Sequence, residues 1–371
     1  VAASSLLSRA LRAAGALLGG VFAAGATKAA PLPPDRGEVL YHRYGGGGLT
    51  AQGPALLVRK TLAEKFSLTG QVYVDAVSNA SVDVVTTASP YKERRTEYGL
   101  GVEYAVRDAN ITVGLSSSSE PDYKTRGLSV DVAQETFGGM TTVNLGFSRS
   151  ADKVGQKGLG FFDENKHWQY RLGVTQILTP RWLASANLEA ISDSGYLGNP
   201  YRAARVFGAA VPENLPRTRS SRALNLRAVG DLGSPNSARS AVRGSYRYFW
   251  DNWDVKAHTL EGGYSRYVGE SFLLDGFVRH YRQTKASFYS DDAQSLSAYV
   301  TRNRQLGTYD GNTLGGKVTY TWRKVPGQYE VKFNGGLELL RYQYRDYTDL
   351  RNGNAYSLTA TILQLYVTAN Y

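Results

Sequence analysis

The chain of 371 residues has no cysteine, a single methionine and four histidines. Without a thiol, disulfides, thiolate metal sites and cysteine nucleophiles are excluded. The histidines are His42, His167, His258 and His280, and none forms a His-x-x-x-His pair or a metal-spaced cluster with carboxylates. His258 and His280 fall on neighbouring expected strands, where folding could bring them together. A Gly-x-Ser-x-Gly elbow is missing. Gly45 to Gly48 is not followed by a helix carrying a lysine, so it reads as a flexible loop and not a phosphate cradle. These gaps leave no expected catalytic residue, metal site or cofactor. Long apolar runs are also missing: beyond residue 30 no stretch approaches the roughly 20 apolar residues of a membrane-spanning helix. Helical periodicity of useful length is lacking there too. Mean hydropathy is −0.34. The formal charge is +11, yet Lys and Arg are dispersed along the chain, with no basic helix or arm. That dispersal argues against nucleic acid as a partner and suits anionic lipid headgroups better.

What is present is alternation. Phe66, Leu68, Gly70, Val72 and Val74 oppose Ser67, Thr69, Gln71, Tyr73 and Asp75. Tyr98, Leu100, Val102, Tyr104 and Val106 oppose Glu97, Gly99, Gly101 and Glu103. Successive side chains of a strand point to opposite faces, so each such segment has one apolar and one polar face. Segments of this kind start near residues 38, 53, 66, 94, 109, 125, 141, 167, 181, 221, 237, 256, 271, 313, 329 and 357. Charged and amide groups on the second face would be costly in a dry sandwich core but are expected in a watery lumen. Short connections such as Ala63-Glu64-Lys65, Arg107-Asp108 and Pro326-Gly327 alternate with long ones at 79–93, 151–166, 193–219 and 286–311. Asp251 to Asp254 breaks that rule, being short on the long-loop side. The expected fold is all-β: a transmembrane, antiparallel, up-and-down β-barrel of about 16 strands.

Both ends of the sequence fit this expectation. Residues 1–30 carry Arg9 and Arg12, then the small apolar run Ala13 to Ala26, with Ala24-Gly25-Ala26 as a cleavage pattern. This reads as a secretory signal peptide, leaving 31–371 as the barrel. The last ten residues alternate again: Leu363, Leu365, Val367, Ala369 and Tyr371 on one face, and Gln364, Tyr366, Thr368 and Asn370 on the other. A final strand with one apolar face and an aromatic last residue resembles the signal read by the barrel-assembly machinery of the bacterial outer membrane. The expected location is that membrane, and the expected partner its lipid.

Three stretches carry a family resemblance. They are Gly195-Tyr196-Leu197-Gly198-Asn199-Pro200-Tyr201-Arg202, Pro216-Arg217-Thr218-Arg219, and the run from Ser245-Tyr246-Arg247-Tyr248 through Asp251-Asn252-Trp253 and His258-Thr259 to Arg279, Tyr281, Gln283 and Phe288-Tyr289. With the opening Tyr41-His42-Arg43-Tyr44, their order and spacing resemble the bacterial domain of unknown function 3570 family, from about residue 36 onward. The resemblance implies an outer-membrane protein without an assigned activity. It also implies an envelope redox system with periplasmic redox proteins as partners, although no redox group is visible in this chain.

Charged inner faces offer the candidate site. Arg227, Arg239, Arg243 and Arg247 share the inward phase of two adjacent expected strands, and Glu261, Asp275 and Arg279 that of the next two. Such ladders either hold the wall together or line a lumen that selects or binds an anionic solute. In the long 193–219 connection, Tyr201, Arg202, Arg217 and Arg219 either supply aromatic faces and anion donors or anchor the loop to the rim. The expected function is passage or binding of a small solute. A non-conducting scaffold for an envelope complex is one alternative, and an enzyme within the barrel the other.

Overall fold

The computed structural model describes residues 32–63, 65–79, 91–156, 160–233 and 239–371. The signal segment at 1–30 and the connection at 80–90 lie outside them. The chain forms β1 (Arg36–Gly46), β2 (Leu49–Leu62), β3 (Phe66–Asn79), β4 (Tyr91–Val106), β5 (Ala109–Ser119), β6 (Tyr123–Thr136), β7 (Thr141–Gln156), β8 (Phe161–Thr179) and β9 (Trp182–Gly195). After the small hairpin β10 (Ala203–Val206) and β11 (Ala209–Pro212) come β12 (Thr218–Asp231), β13 (Ser240–Asp251), β14 (Lys256–Val268), β15 (Phe272–Gln283), β16 (Tyr309–Val325), β17 (Tyr329–Thr348) and β18 (Ala355–Asn370). Among the described residues every strand but β10 and β11 joins one closed antiparallel barrel of sixteen. The seam is β1 against β18, in register from Arg36↔Asn370 to Gly46↔Ala360. Closure matters because it leaves no strand edge with unpaired N–H and C=O groups.

Each strand follows the two-residue period, and the barrel sorts the two faces by polarity in the reverse of a soluble protein. Leu100 is 61% exposed on the outside, Leu260 61% and Leu314 59%. On the inner side of the seam strand, Gln364 and Thr368 are buried, while Leu365 and Val367 lie outside and accessible. An apolar exterior of this extent wants an apolar surrounding.

One end of the barrel carries the tight turns, such as Arg107-Asp108 and the segment 326–328; we call it the turn end. The other, the loop end, carries the 196–217 and 284–308 connections. Three sequence expectations need correction at this end. The 151–166 stretch is mostly strand, since β7 runs to Gln156 and β8 begins at Phe161; the Ser150↔His167 to Gln156↔Phe161 ladder continues the pairing past the apolar zone. Gly45 to Gly48 is not a flexible loop. Gly45 and Gly46 pair in the ladder, and Gly47 (φ 56°) and Gly48 (φ 80°) make a two-residue hairpin turn that needs left-handed backbone. Asp251 to Asp254 is also not a lone exception, because the connections at 47–48 and 120–122 are equally short at the same end.

Candidate lumen site

The arginine wall forms on β12 to β15. The inward side chains of β13 include Arg243 and Arg247, those of β14 Glu261, and those of β15 Asp275 and Arg279. Arg243 grips Asp275 with two bonds, Nη1 to Oδ2 at 2.5 Å and Nη2 to Oδ1 at 2.9 Å. Arg279 donates through Nε to Glu261 Oε2 at 2.8 Å. Arg247 reaches back over β12 to Glu189 of β9 at 3.2 Å. Arg239 lies just before β13 in the same phase, and its guanidinium stacks on the ring of Tyr267, which shares the inward phase of Glu261, at 4.2 Å.

Arg227 is different. It faces inward from the turn-end half of β12, flanked in register by Ser185 and Ser245. It is half-buried and makes no ion pair among the described residues. The space it faces is wet: on the inner faces of β6 and β8, Asp131 and Arg171 pair at 2.7 Å with side chains 44% and 43% exposed. A lumen filled by side chains would have buried both.

Glycine makes several of these reaches possible. Gly146 stands between Asp131 and Arg171 in register, and a Cβ there would meet Asp131 Oδ1 at 2.5 Å and Arg171 Nε at 2.7 Å. Gly263 likewise clears the path of Arg243, whose Cζ would lie 2.4 Å from an added Cβ. A missing side chain on the middle strand lets a charged pair close across it.

A second polar group occupies the loop-end half of the wall, and sequence reasoning did not select it. His42 is fully buried, its Nε2 2.6 Å from Asp75 Oδ1 and its ring stacked on Tyr73 at 4.4 Å. His42 is paired with Gly53, where the β3 backbone comes so close that an added Cβ would lie 1.9 Å from the Val74 carbonyl oxygen, and the imidazole reaches over β2 to Asp75 of β3. Arg95, opposite Asp75, donates to Ser118 Oγ at 3.0 Å, pairs with Glu97, and lies 3.7 Å from Glu120. Farther round, Tyr123 and Thr125 donate to Asp152, and His167 bridges Asp152 (2.9 Å) and Asp193 (2.5 Å). His42 lies in the Tyr41-His42-Arg43-Tyr44 stretch that carries the family resemblance, and its partners come from the register across β1, β2 and β3.

The loop candidates act as anchors for a cap. Arg217 makes a two-bond pair with Asp163 at 2.8 and 2.9 Å. Arg219 binds Asp251 at 2.8 Å and lies 4.6 Å over the Trp253 ring. The Tyr201 hydroxyl donates to Asp122, and the Arg202 N–H closes a turn onto Asn199 O at 3.0 Å. The two long connections then bind each other. Ala293 N donates to Arg205 O at 2.9 Å, and Asn214 and Val300 exchange backbone bonds at 3.0 and 2.9 Å. Beneath them Trp253, Val255, Ala286, Tyr289 and Leu306 form an apolar cluster that includes the inward Phe249 and the loop residues Leu197 and Leu215. Burial beside this cap pushes the Tyr196 hydroxyl up to about 12, and the hydrogen bond from Arg351 holds the Asp349 carboxyl below the usual range.

His258 and His280 do not meet. Both point outward, and each has its own partner: the Tyr246 hydroxyl at 2.7 Å and Asn312 Oδ1 at 2.9 Å. Among the described residues no cluster of three potential ligands could hold a metal.

Residues 22–161 and 161–371 match the family model described as Protein of unknown function (DUF3570). No curated protein sequence matches the chain. Among solved structures, a bacterial polysaccharide outer membrane secretin superposes with a TM-score of 0.53 at 8% identity, covering 91% of this chain and 98% of its own. CdiB from Acinetobacter baumannii gives 0.50 at 8% identity, covering 90% of this chain and 60% of its own. At such identities the likeness is one of fold, that of outer-membrane barrels.

Proposed function

Because the chain belongs to the DUF3570 family of proteins of unknown function and folds as outer-membrane barrels fold, we propose that it resides in the bacterial outer membrane and passes or binds a small anionic solute. The observation that carries this reading is Arg227, an inward guanidinium without a carboxylate partner among the described residues, facing a lumen where Asp131 and Arg171 meet solvent. Its neighbours Arg243 and Arg247 are held by acids, so on this wall Arg227 is a donor open to a carboxylate or phosphate among the described residues. Long loops outward and short turns inward is the orientation usual for such barrels.

The test is planar-bilayer recording of purified, heat-modifiable protein across a salt gradient. The expected result is anion-selective conductance, with Arg227→Glu moving the reversal potential toward cation selectivity. Conductance that ignores Arg227 would overturn its role.

The cap favours a second reading. The two long connections pack onto inward Phe249, which suits a closed mouth and a scaffold for envelope proteins, periplasmic redox partners among them. Folded barrels silent in bilayers, with periplasmic proteins captured by mild crosslinking in cells, would select that reading. Both readings are non-catalytic. A turnover abolished by His42→Ala in an intact barrel would replace them with an enzymatic one.

A further inference from the structure

The exterior of β6 to β8 at the loop end is basic in a way that wall construction does not require. Five outward side chains there are cations: Lys124 and Arg126 on β6, Arg149 and Lys153 on β7, and Lys166 on β8, all exposed. They occupy three consecutive rows of the ladder. Lys124 stands directly opposite Lys153, which is followed by Glu164. Arg126 and Lys166 flank Ala151 in the next row, and Arg149 lies between Leu128 and Trp168 in the third. With rows about 7 Å apart and strands about 5 Å apart, the patch is roughly 14 by 10 Å.

Two features point to a ligand. Like charges directly opposed across a ladder destabilise the sheet, and Lys124 faces Lys153, whose ion pair among the described residues is Glu164 at 3.7 Å. An anion held against the opposed pair would relieve that repulsion. The patch also stops where the apolar exterior begins: the following rows are Val130, Phe147 and Tyr170, then Val132, Leu145 and Leu172. Trp168, with the Arg149 guanidinium 4.5 Å over its ring, marks the boundary as interfacial aromatics do. The collar is not uniform round the barrel, since β18 presents Ser357, Thr359 and Thr361 outward at this end.

We propose that this face binds the phosphorylated headgroup of a membrane lipid, its phosphates on the five cations and its acyl chains along the apolar rows. The proposal rests on the membrane reading above, with the loop end at the headgroup level of the outer leaflet.

Native mass spectrometry of the detergent-solubilised barrel tests it, using bis-phosphorylated lipid A, the same lipid stripped of phosphate, and inorganic phosphate. The phosphorylated lipid should be retained about tenfold or more over the stripped one, and Arg126→Gln with Arg149→Gln and Lys166→Gln should abolish that preference. Lys124→Gln supplies a second readout if the triple variant folds poorly: it should raise the unfolding temperature in lipid-free detergent and shrink the gain conferred by lipid A. Equal retention of both lipids overturns the proposal, as does displacement of lipid A by millimolar phosphate or a Lys124→Gln barrel that gains as much as the parent. A chain that is soluble and not heat-modifiable would instead refute the membrane reading itself.

Discussion

The His42–Asp75–Arg95 belt and the arginine wall around Arg227 use the same residue types on the same inner surface, yet they differ in access to water. Asp75 and Arg95 have side chains 1% and 6% exposed, whereas Arg247 is 38% exposed. In the belt, removing charge from water is offset by ion pairs and hydrogen bonds that link strands β1 to β5, although His42 Nδ1 and Asp75 Oδ2 have no hydrogen-bond partner. On the wall, Arg243–Asp275 is nearly as buried, at 14% and 18%, but the Arg247–Glu189 pair keeps contact with water and costs little to form or break. That leaves the Arg247 guanidinium able to exchange its carboxylate for a solute. The chemistry is shared, and burial decides whether it serves structure or traffic.

The largest expected effect lies in the belt. Asp75→Ala leaves the Arg95 guanidinium without its facing carboxylate and the His42 ring without its Nε2 partner, at about 3–5 kcal/mol. Urea unfolding of the barrel in detergent reads the loss, and a change below about 1 kcal/mol would place the belt with the solvated pairs. Next comes the cleared path between its members. Gly53→Ala would bring a Cβ to 1.9 Å from the Val74 carbonyl oxygen, so backbone must shift, costing about 1–3 kcal/mol. Gly244→Ala is the control, since it faces outward with nothing within 4 Å; there the smaller unfolded-state entropy should stabilise by about 0.4–1 kcal/mol. Equal effects at the two glycines would remove packing as the reason for Gly53.

These two glycines also show how far the sequence is legible. Alternation in segments such as Phe66–Val74 identifies strand and face, because a two-residue period is local. The expected starts at 66, 109, 141, 256 and 329 coincide with the strand starts. Inward Arg243, Arg247, Glu261, Asp275 and Arg279 followed from the same phase. Pairing does not follow from phase. That His42 meets Asp75 over Gly53 depends on register across β1, β2 and β3, which no single segment encodes. The segments starting near 38 and 53 alternate less cleanly, since Gly45, Gly46, Gly53 and Pro54 interrupt the apolar pattern. The cap was beyond local reading for a related reason: its contacts join residues 205 and 293, or 214 and 300, and only the folded barrel brings those loops to one mouth.

The smallest expected effect is on the Asp131–Arg171 pair. Both groups keep over two fifths of their side-chain surface in solvent, so Arg171→Ala should cost less than about 1 kcal/mol, and less again at high salt. Its value is in what it separates. Removing this cation leaves Asp131 uncompensated on the neighbouring stretch of wall, with β9 the one strand between β8 and β12, while Arg227 is untouched. In bilayers, Arg171→Ala should therefore reduce anion preference less than Arg227→Glu does, with unfolding curves near the parent for both. If Arg171→Ala instead destabilised the barrel by several kcal/mol, the lumen would be drier than its exposed pair indicates, and Arg227 would have to be satisfied by the protein alone.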